Sequence, residues 1–419
     1  MSPSQPFCIV AADFIKTGGM DRANHALAMD LVARGHEVHL VSHRVSEDLL
    51  AMPNVVFHRV PRPFNAQLLG GPLLDRAGRR VAKKILKRSG RVIVNGGNCL
   101  VGDVNWVHYL HAAHAPQVGG SVLSRVRWWF QHRMYLREER RALQRAKLVI
   151  TNSNLTRTGV LNTLGLDPDK VRTVHLGLDT DTFRPATVQE KQNARRSAGW
   201  RVDQPVVAFI GALGNRRKGF DTLFDAWTRL HEAGNWDARL IVIGSGAELS
   251  TWQDQVTRRG MRDVDFLGHR SDVPDLLRRC DALVAPTRYE AYGLGIAEAV
   301  CTGLTTIVSR DAGVAELCPT DAGARLLLDD PNDVNELVNR LRAWQADPEG
   351  YRSAANQWAR ALRLRTWSVM AEQIVQVIQQ TAPAPVGAQV GAHRSPAGVS
   401  AISDSRGGAE PVSSAAPVS

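Results

Sequence analysis

Residues 287–303 read T-R-Y-E-A-Y-G-L-G-I-A-E-A-V-C-T-G. They follow the short apolar run A-L-V-A-P at 282–286, which fits a buried strand. The stretch therefore sits at the carboxyl end of a strand in an α/β sheet, the edge where ligands bind. Gly293 and Gly295 flank a turn without side-chain bulk, helical apolar spacing begins at Leu294, and Gly303 supplies a stop. A helix that starts just after a glycine turn presents unpaired N–H groups and the positive end of its dipole, which suits a phosphate. Glu290 precedes that turn and Glu298 lies inside the helix. Two such carboxylates can accept hydrogen bonds from sugar or ribose hydroxyls, provided cations elsewhere neutralise the phosphate. Taken alone, a surface loop followed by an ordinary amphipathic helix would give the same pattern.

The cations lie upstream. The strand P-V-V-A-F-I-G at 205–211 runs into a loop holding Arg216, Arg217 and Lys218 between Gly214 and Gly219. Consecutive cations at the end of a strand can stabilise charge building on a departing diphosphate. An exposed basic loop is the bland alternative. Further on, a strand at 239–243 ends in Gly244-Ser245-Gly246, with Asp265 about 20 residues later, an arrangement that invites a nicotinamide site. Leu249 stands where the third glycine of that fingerprint belongs, so the motif is incomplete. The next strand and turn, D-F-L-G at 265–268, carry His269 and Arg270.

The first half repeats the grammar. A strand at 7–13, a turn with Gly18 and Gly19, a helix from 21 to 34 and a strand at 37–42 make a βαβ unit. Strands follow at 55–60, 91–94, 105–111 and 148–152. The third of these, N-W-V-H-Y-L-H, ends in a turn with His108, His111 and His114. Their spacing straddles a strand end with no interleaved Cys or acid, which argues against zinc. Asp179-Thr180-Asp181, just before Pro185, reads as an interdomain turn.

In this order the motifs resemble those of the retaining GT-B glycosyltransferases of family four. The resemblance spans about residues 7–379 and rests on Glu290 and Glu298 around Gly293-Leu294, the Arg-Lys-Gly loop, the 171–185 segment and the Gly244–Gly246 strand exit. It implies an α/β GT-B fold, two Rossmann-like doubly wound domains facing across a cleft. The implied layout is an acceptor-side domain at 1–185, a linker at 186–204 and a nucleotide-sugar-binding domain at 205–365. A helix at 366–380 would return to the first domain, and composition makes 381–419 a disordered tail.

The resemblance also implies roles. Glu290 would hold donor-sugar hydroxyls, Glu298 the ribose, and Gly293 and Leu294 would offer N–H groups to the diphosphate. Lys218 with Arg216 or Arg217 would clamp the phosphate; Gly246, His269 and Arg270 would lie near the nucleotide. Gly19 and His111, with His108 second, would close the cleft, and His111, Glu290 and Lys218 form the expected catalytic set. The commoner family form has an arginine where this chain has Leu213, so the choice between Arg216 and Arg217 as the clamp stays open. The implied reaction uses a nucleoside-diphosphate sugar, of UDP or GDP type, with no metal and no cofactor. The acceptor would be a sugar or lipid-linked hydroxyl.

Composition frames this reading. With 419 residues, 44% apolar and 22% charged, the chain suits two ordinary domains. No run approaches the roughly 18 apolar residues of a spanning helix, and the first apolar run lacks the flanks of a signal peptide, so a cytoplasmic location is expected. Five scattered cysteines read as reduced small apolar residues. The net charge of +11 allows nucleic acid, an anionic membrane or a phosphorylated substrate; nucleic acid is not expected. Residues 121–147 form a basic helical stretch containing Trp128-Trp129-Phe130, and 79–91 add more cations. These suggest peripheral contact with an anionic membrane at its inner face, against a core-facing helix with a solvated basic rim. Two other functions stay open: an inactive GT-B-like protein that binds membrane or nucleotide, and an NAD(P)-dependent oxidoreductase.

Overall fold

The computed structural model describes residues 5–114, 122–214 and 216–381; the tail expectation for 381–419 lies, apart from Thr381, outside the described residues. The first sheet contains β1 (Phe7–Val10), β2 (Val38–Ser42), β3 (Val55–Arg59), β4 (Arg91–Val94), β5 (Val104–Val107), β6 (Leu148–Thr151) and β7 (Val171–Thr173). Its order is β3-β2-β1-β4-β5-β6-β7, with every pair parallel. The second contains β8 (Val206–Ile210), β9 (Arg239–Ile243), β10 (Val264–Gly268), β11 (Ala282–Ala285), β12 (Thr305–Ser309) and β13 (Leu327–Leu328). Here the order is β10-β9-β8-β11-β12-β13, again all parallel. Strand order reverses between β1 and β4 and between β8 and β11, which opens a ligand crevice at the carboxyl ends of those strands.

Strand β1 shows why the sheets are covered on both faces. All four of its residues are buried, as parallel strands require. Phe7 and Ile9 pack with Leu27 and Leu31 of helix α1 (Gly19–Ala33). Cys8 and Val10 point the other way and join Leu74, Val81 and Ile85 of helix α2 (Gln67–Lys87). On the same face as α2, Leu143 of helix α3 (Val122–Arg145) packs with Val107 of β5. Helix α4 (Asn154–Leu164) opens on Ser153, whose Oγ accepts from the Thr156 N–H. In the second domain, α5 (Phe220–Glu232) follows β8 and α6 (Leu294–Cys301) follows β11.

Three local features differ from the sequence reading. The strand expected at 105–111 stops at Val107, and a 3-10 turn, His111–Ala113, follows. The buried Glu139 carboxylate accepts from the His111 and Ala112 N–H groups at 2.9 and 3.2 Å, which ties that turn down. The stretch expected as a plain linker at 186–204 holds a helix, Val188–Ser197. Thr187 and Glu190 cap it reciprocally, and buried Arg195 ion-pairs with Asp281 of the second domain. The strand read to Asn152 ends at Thr151.

The last helix, α7 (Trp367–Gln379), lies against the first domain. Ser368 donates to Asp30 of α1 at 3.0 Å. Arg91, itself paired with Asp103 inside the first domain, donates to the Ile378 and Thr381 carbonyls at 2.6 and 2.7 Å. These bonds leave no charge of the buried Arg91–Asp103 pair without a partner, which such a pair needs to be tolerated. No helix among the described residues is long and apolar enough to cross a membrane.

Candidate active site

The loop between β8 and α5 is built against the end of β11. Gly219 has φ 72°, and a Cβ there would fall 1.7 Å from the Pro286 carbonyl oxygen, so only glycine lets the two backbones meet. Arg288 then frames the loop. Its guanidinium ion-pairs with Asp221 at 2.8 and 2.9 Å and donates to the Arg216 carbonyl. The Arg217 carbonyl accepts from the Arg288 N–H at 2.8 Å and from the Thr287 hydroxyl at 2.9 Å. Held this way, Arg217 and Lys218 both reach one carboxylate. Arg217 Nη1 lies 2.9 Å from Glu290 Oε2 and 2.8 Å from the Tyr289 carbonyl, and Lys218 Nζ bonds the same Oε2. Arg216 has a left-handed φ of 51° and an exposed side chain. Of the two arginines left open by the sequence, Arg217 is the one that converges with Lys218.

Burial alone would raise the Glu290 carboxyl, but Lys218 and Arg217 outweigh it and hold the group below the usual carboxylate range. Its backbone is fixed by a bond from its own N–H to Asp311 and by one from the Gly313 N–H to its carbonyl. Three residues on, Gly293 caps α6 with φ 96° and no side-chain cap. The first-turn N–H groups of α6, those of Leu294 and Gly295, thus face outward from the helix end without a capping side chain.

Glu298, buried on α6, has a different partner. Arg22 of α1 crosses from the first domain and ion-pairs with it. Burial raises the Glu298 carboxyl to about 7 despite Arg22, which acts the other way. Beside this pair, Gly19 faces Leu294 with room for no more than a methyl group between them: a Cβ on Gly19 would lie 3.8 Å from Leu294 Cδ2.

The histidine-rich turn meets the second domain through other residues than expected. His111 Nδ1 is 3.0 Å from Glu139 Oε1, within its own domain. His108 is pressed to the Trp106 ring at 4.2 Å, and burial lowers it to about 3, so it is neutral. Neither of its ring nitrogens has a hydrogen-bond partner among the described residues. Tyr109 and His114 make the crossing instead. Tyr109 packs edge-on to Tyr289 at 5.5 Å with the Arg217 guanidinium 5.8 Å above its ring, and His114 stacks on Tyr289 at 5.7 Å.

Of the remaining expected residues, Gly246 packs against the loop that carries Arg217 and Lys218. A Cβ on Gly246 would fall 1.8 Å from the Leu213 carbonyl oxygen, and Leu213 exchanges backbone bonds with Ser245 and Glu248. The glycines of that turn therefore have a packing reason to be there. His269 is exposed, and Arg270, also exposed, is paired with Asp272 at 2.6 Å. Asp179 accepts from the Thr182 N–H at 3.0 Å, as a turn residue does. Among the described residues no group of three or more His, Cys, Asp or Glu is placed to hold a metal ion. Arg22, Arg288, Asp221, Tyr109 and Tyr289 were not singled out from the sequence. The signal available for Arg22 was its place in the first turn after the double glycine.

Residues 17–182 match the family model described as Glycosyltransferase Family 4, and residues 190–362 match that described as Glycosyl transferases group 1. An uncharacterized glycosyltransferase of Methanocaldococcus jannaschii is 31% identical over 173 residues, 40% of this chain and 44% of that protein. The lipopolysaccharide core biosynthesis mannosyltransferase LpsB of Rhizobium meliloti is 29% identical over 192 residues, 44% of this chain and 53% of that one. The chain thus spans about half the length of these curated relatives. Among solved structures, Anabaena HepE in complex with UDP and glucose has the same fold, with a TM-score of 0.63 at 18% identity over 90% of this chain and 99% of that one. With one such model on each half and two Rossmann-like domains of matching order, the chain belongs to the family 4 glycosyltransferases of the GT-B fold.

Proposed function

We propose that the chain is a retaining hexosyltransferase that moves a sugar from a nucleoside-diphosphate donor, of UDP or GDP type, to an acceptor hydroxyl without a metal ion. The observation that carries this reading is the convergence of Arg217 and Lys218 on Glu290, four residues before α6 starts without a side-chain cap. Two cations against one carboxylate leave a net positive charge. That charge and the helix dipole suit a diphosphate and can take the place of a divalent cation as it departs. Glu290, released from part of its ion pairing by the incoming phosphates, is then free to accept from donor-sugar hydroxyls. Glu298 takes the ribose hydroxyls when Arg22 yields it.

In the proposed step the bond between the anomeric carbon and the diphosphate oxygen breaks, and its electron pair leaves with the diphosphate. The acceptor oxygen bonds to the same carbon from the same face and passes its proton to a phosphate oxygen, so configuration is kept. Fixed cations that stabilise leaving-group charge act in a site where water is scarce and fields are strong. The HepE complex with UDP and glucose supports a nucleotide-sugar donor, and the mannosyltransferase relative supports hexosyl transfer.

The test is a thermal-shift panel of UDP, GDP, ADP, dTDP and NAD(H), with and without EDTA. The proposal expects a rise of several degrees with one nucleoside diphosphate, unchanged by EDTA. A response to NAD(H) alone would favour the oxidoreductase reading. Nucleotide binding without sugar transfer or donor hydrolysis would favour the inactive one.

A further inference from the structure

Helix α3 turns one continuous face outward. Residues 126, 129, 130, 133, 134 and 137 share it by helical spacing. Its first half is apolar: Trp129 is 47% and Phe130 63% exposed, with Val126 and Met134 beside them. Its second half is basic, with exposed Arg133, Arg137, Arg140 and Arg141. The acids of the helix are elsewhere, Glu139 buried and Glu138 half-buried. Trp128, its neighbour in sequence, is also half-buried, so the Trp-Trp-Phe run is split between an inner and an outer face.

Helix α2 repeats the design. Exposed Leu68, Leu69 and Leu73 occupy its first half, just after Phe64, which is 95% exposed in the preceding turn. Exposed Arg76, Arg80, Lys83, Lys84 and Lys87 follow. The two helices are neighbours. Both pack on the segment 96–100, where a Cβ on Gly97 would lie 3.2 Å from Glu138 Cβ and Asp75 of α2 accepts from the Leu100 N–H at 2.8 Å. Each also lies on the same side of the parallel sheet. Crossover helices run back against the strands, so both apolar halves lie toward the sheet's carboxyl edge, the edge that carries Gly19 and Tyr109.

We propose that the joined outer faces of α2 and α3 dock the protein on an anionic lipid bilayer. Apolar side chains this exposed and this concentrated mark a contact surface. Large aromatics with arginine beside them fit the boundary between lipid headgroups and acyl chains. Each cation near an anionic surface adds attraction that falls within a Debye length. A protein partner would need matching acids, and nucleic acid would need no exposed leucines, whereas an anionic bilayer answers both halves of each helix. Arg133 stacked over Trp129 at 4.8 Å shows the pairing of cation and ring at the centre of the face.

The experiment is co-sedimentation of the full chain with vesicles of phosphatidylcholine alone and of phosphatidylcholine with 30–40% phosphatidylglycerol. Three proteins are compared: the native chain, Trp129→Ser/Phe130→Ser and Arg133→Gln/Arg137→Gln. The surface predicts binding to the anionic vesicles that weakens with salt, and at least a tenfold loss in either variant. Melting temperature and the response to nucleotide should stay native, which separates this proposal from the donor site. Absence of binding to anionic vesicles, equal binding to neutral ones, or binding indifferent to the serine variant would overturn it. So would loss confined to the glutamine variant together with competition by RNA.

Discussion

Arg22, in the first turn of the first domain's leading helix, is ion-paired with Glu298, which is buried on α6 of the second domain. The pair joins residues 276 apart, on the helices that also bring Gly19 and Leu294 to face each other. On the proposed function the pair also occupies the carboxylate that takes the donor ribose, so donor binding and domain contact would compete for one group.

A pH dependence follows from Glu298. Burial raises its carboxyl from 4.5 to about 7, with Arg22 opposing. Between those values the folded chain keeps a proton that the unfolded chain has released, so this group's contribution to stability falls as pH rises through that window. Glu298→Gln removes the titration. Melting temperatures at pH 5 and pH 7.5 should show the variant gaining on the native protein at the higher pH. An equal difference at both pH values would contradict the assignment.

The cation pair should be separable from its neighbour in the loop. Lys218→Ala or Arg217→Ala should each lower turnover about a hundredfold, on the order of 3 kcal/mol of transition-state stabilisation. Arg216→Ala, which removes an exposed side chain, should change turnover by less than about twofold. Because each of the first two leaves the other cation on Glu290, both variants should remain folded. Steady-state rates with circular dichroism alongside decide this; a defect in Arg216→Ala as large as the others would place the clamp wrongly.

Gly219→Ala tests the loop's seat. The methyl would fall 1.7 Å from the Pro286 carbonyl at a φ that side chains rarely adopt, so the loop must move. A loss of about 2 kcal/mol or more in urea unfolding is expected, with nucleotide binding weakened too. Native stability would mean that the two backbones are not so close.

Arg288 should behave as a positioning residue. It holds Asp221 and the backbone carbonyl of Arg216 but does not touch Glu290 in the structure. Arg288→Ala should weaken diphosphate binding about tenfold by loosening the loop, and leave nucleoside binding close to native. Equal losses for both ligands would point to a general folding defect.

The fold was legible because its strands are short apolar runs between glycine turns, a pattern fixed by burial on both faces. F-C-I-V and A-L-V-A could hardly be anything else once helices lay between them. Glu290 and Lys218 were legible for another reason: both sit at strand ends, where chain order alone places ligand-binding groups. Arg22 was not, since nothing local in D-R-A-N points to a carboxylate in the other domain. The choice of Arg217 over Arg216 depends on one left-handed backbone angle among three adjacent cations. His111 was drawn toward the crevice by its place near a strand end, but Glu139, on the helix after it, holds the ring within its own domain. The helix Val188–Ser197 was readable from Thr187 and Glu190 three residues apart; its low apolar content hid it, because its hold on the second domain is ionic, through Arg195 and Lys191 to Asp281. The outward turn of Trp129 likewise depends on which face of α3 meets the sheet.

On the proposed function, Arg217, Lys218 and the start of α6 bind a diphosphate with no metal ion. Isothermal titration of the native chain and of Lys218→Ala with UDP and with GDP, in EDTA, tests it most directly. One of the two nucleotides should bind the native chain in EDTA, and at least tenfold more weakly after the substitution. Binding abolished by EDTA, or indifferent to the loss of Lys218, would contradict it.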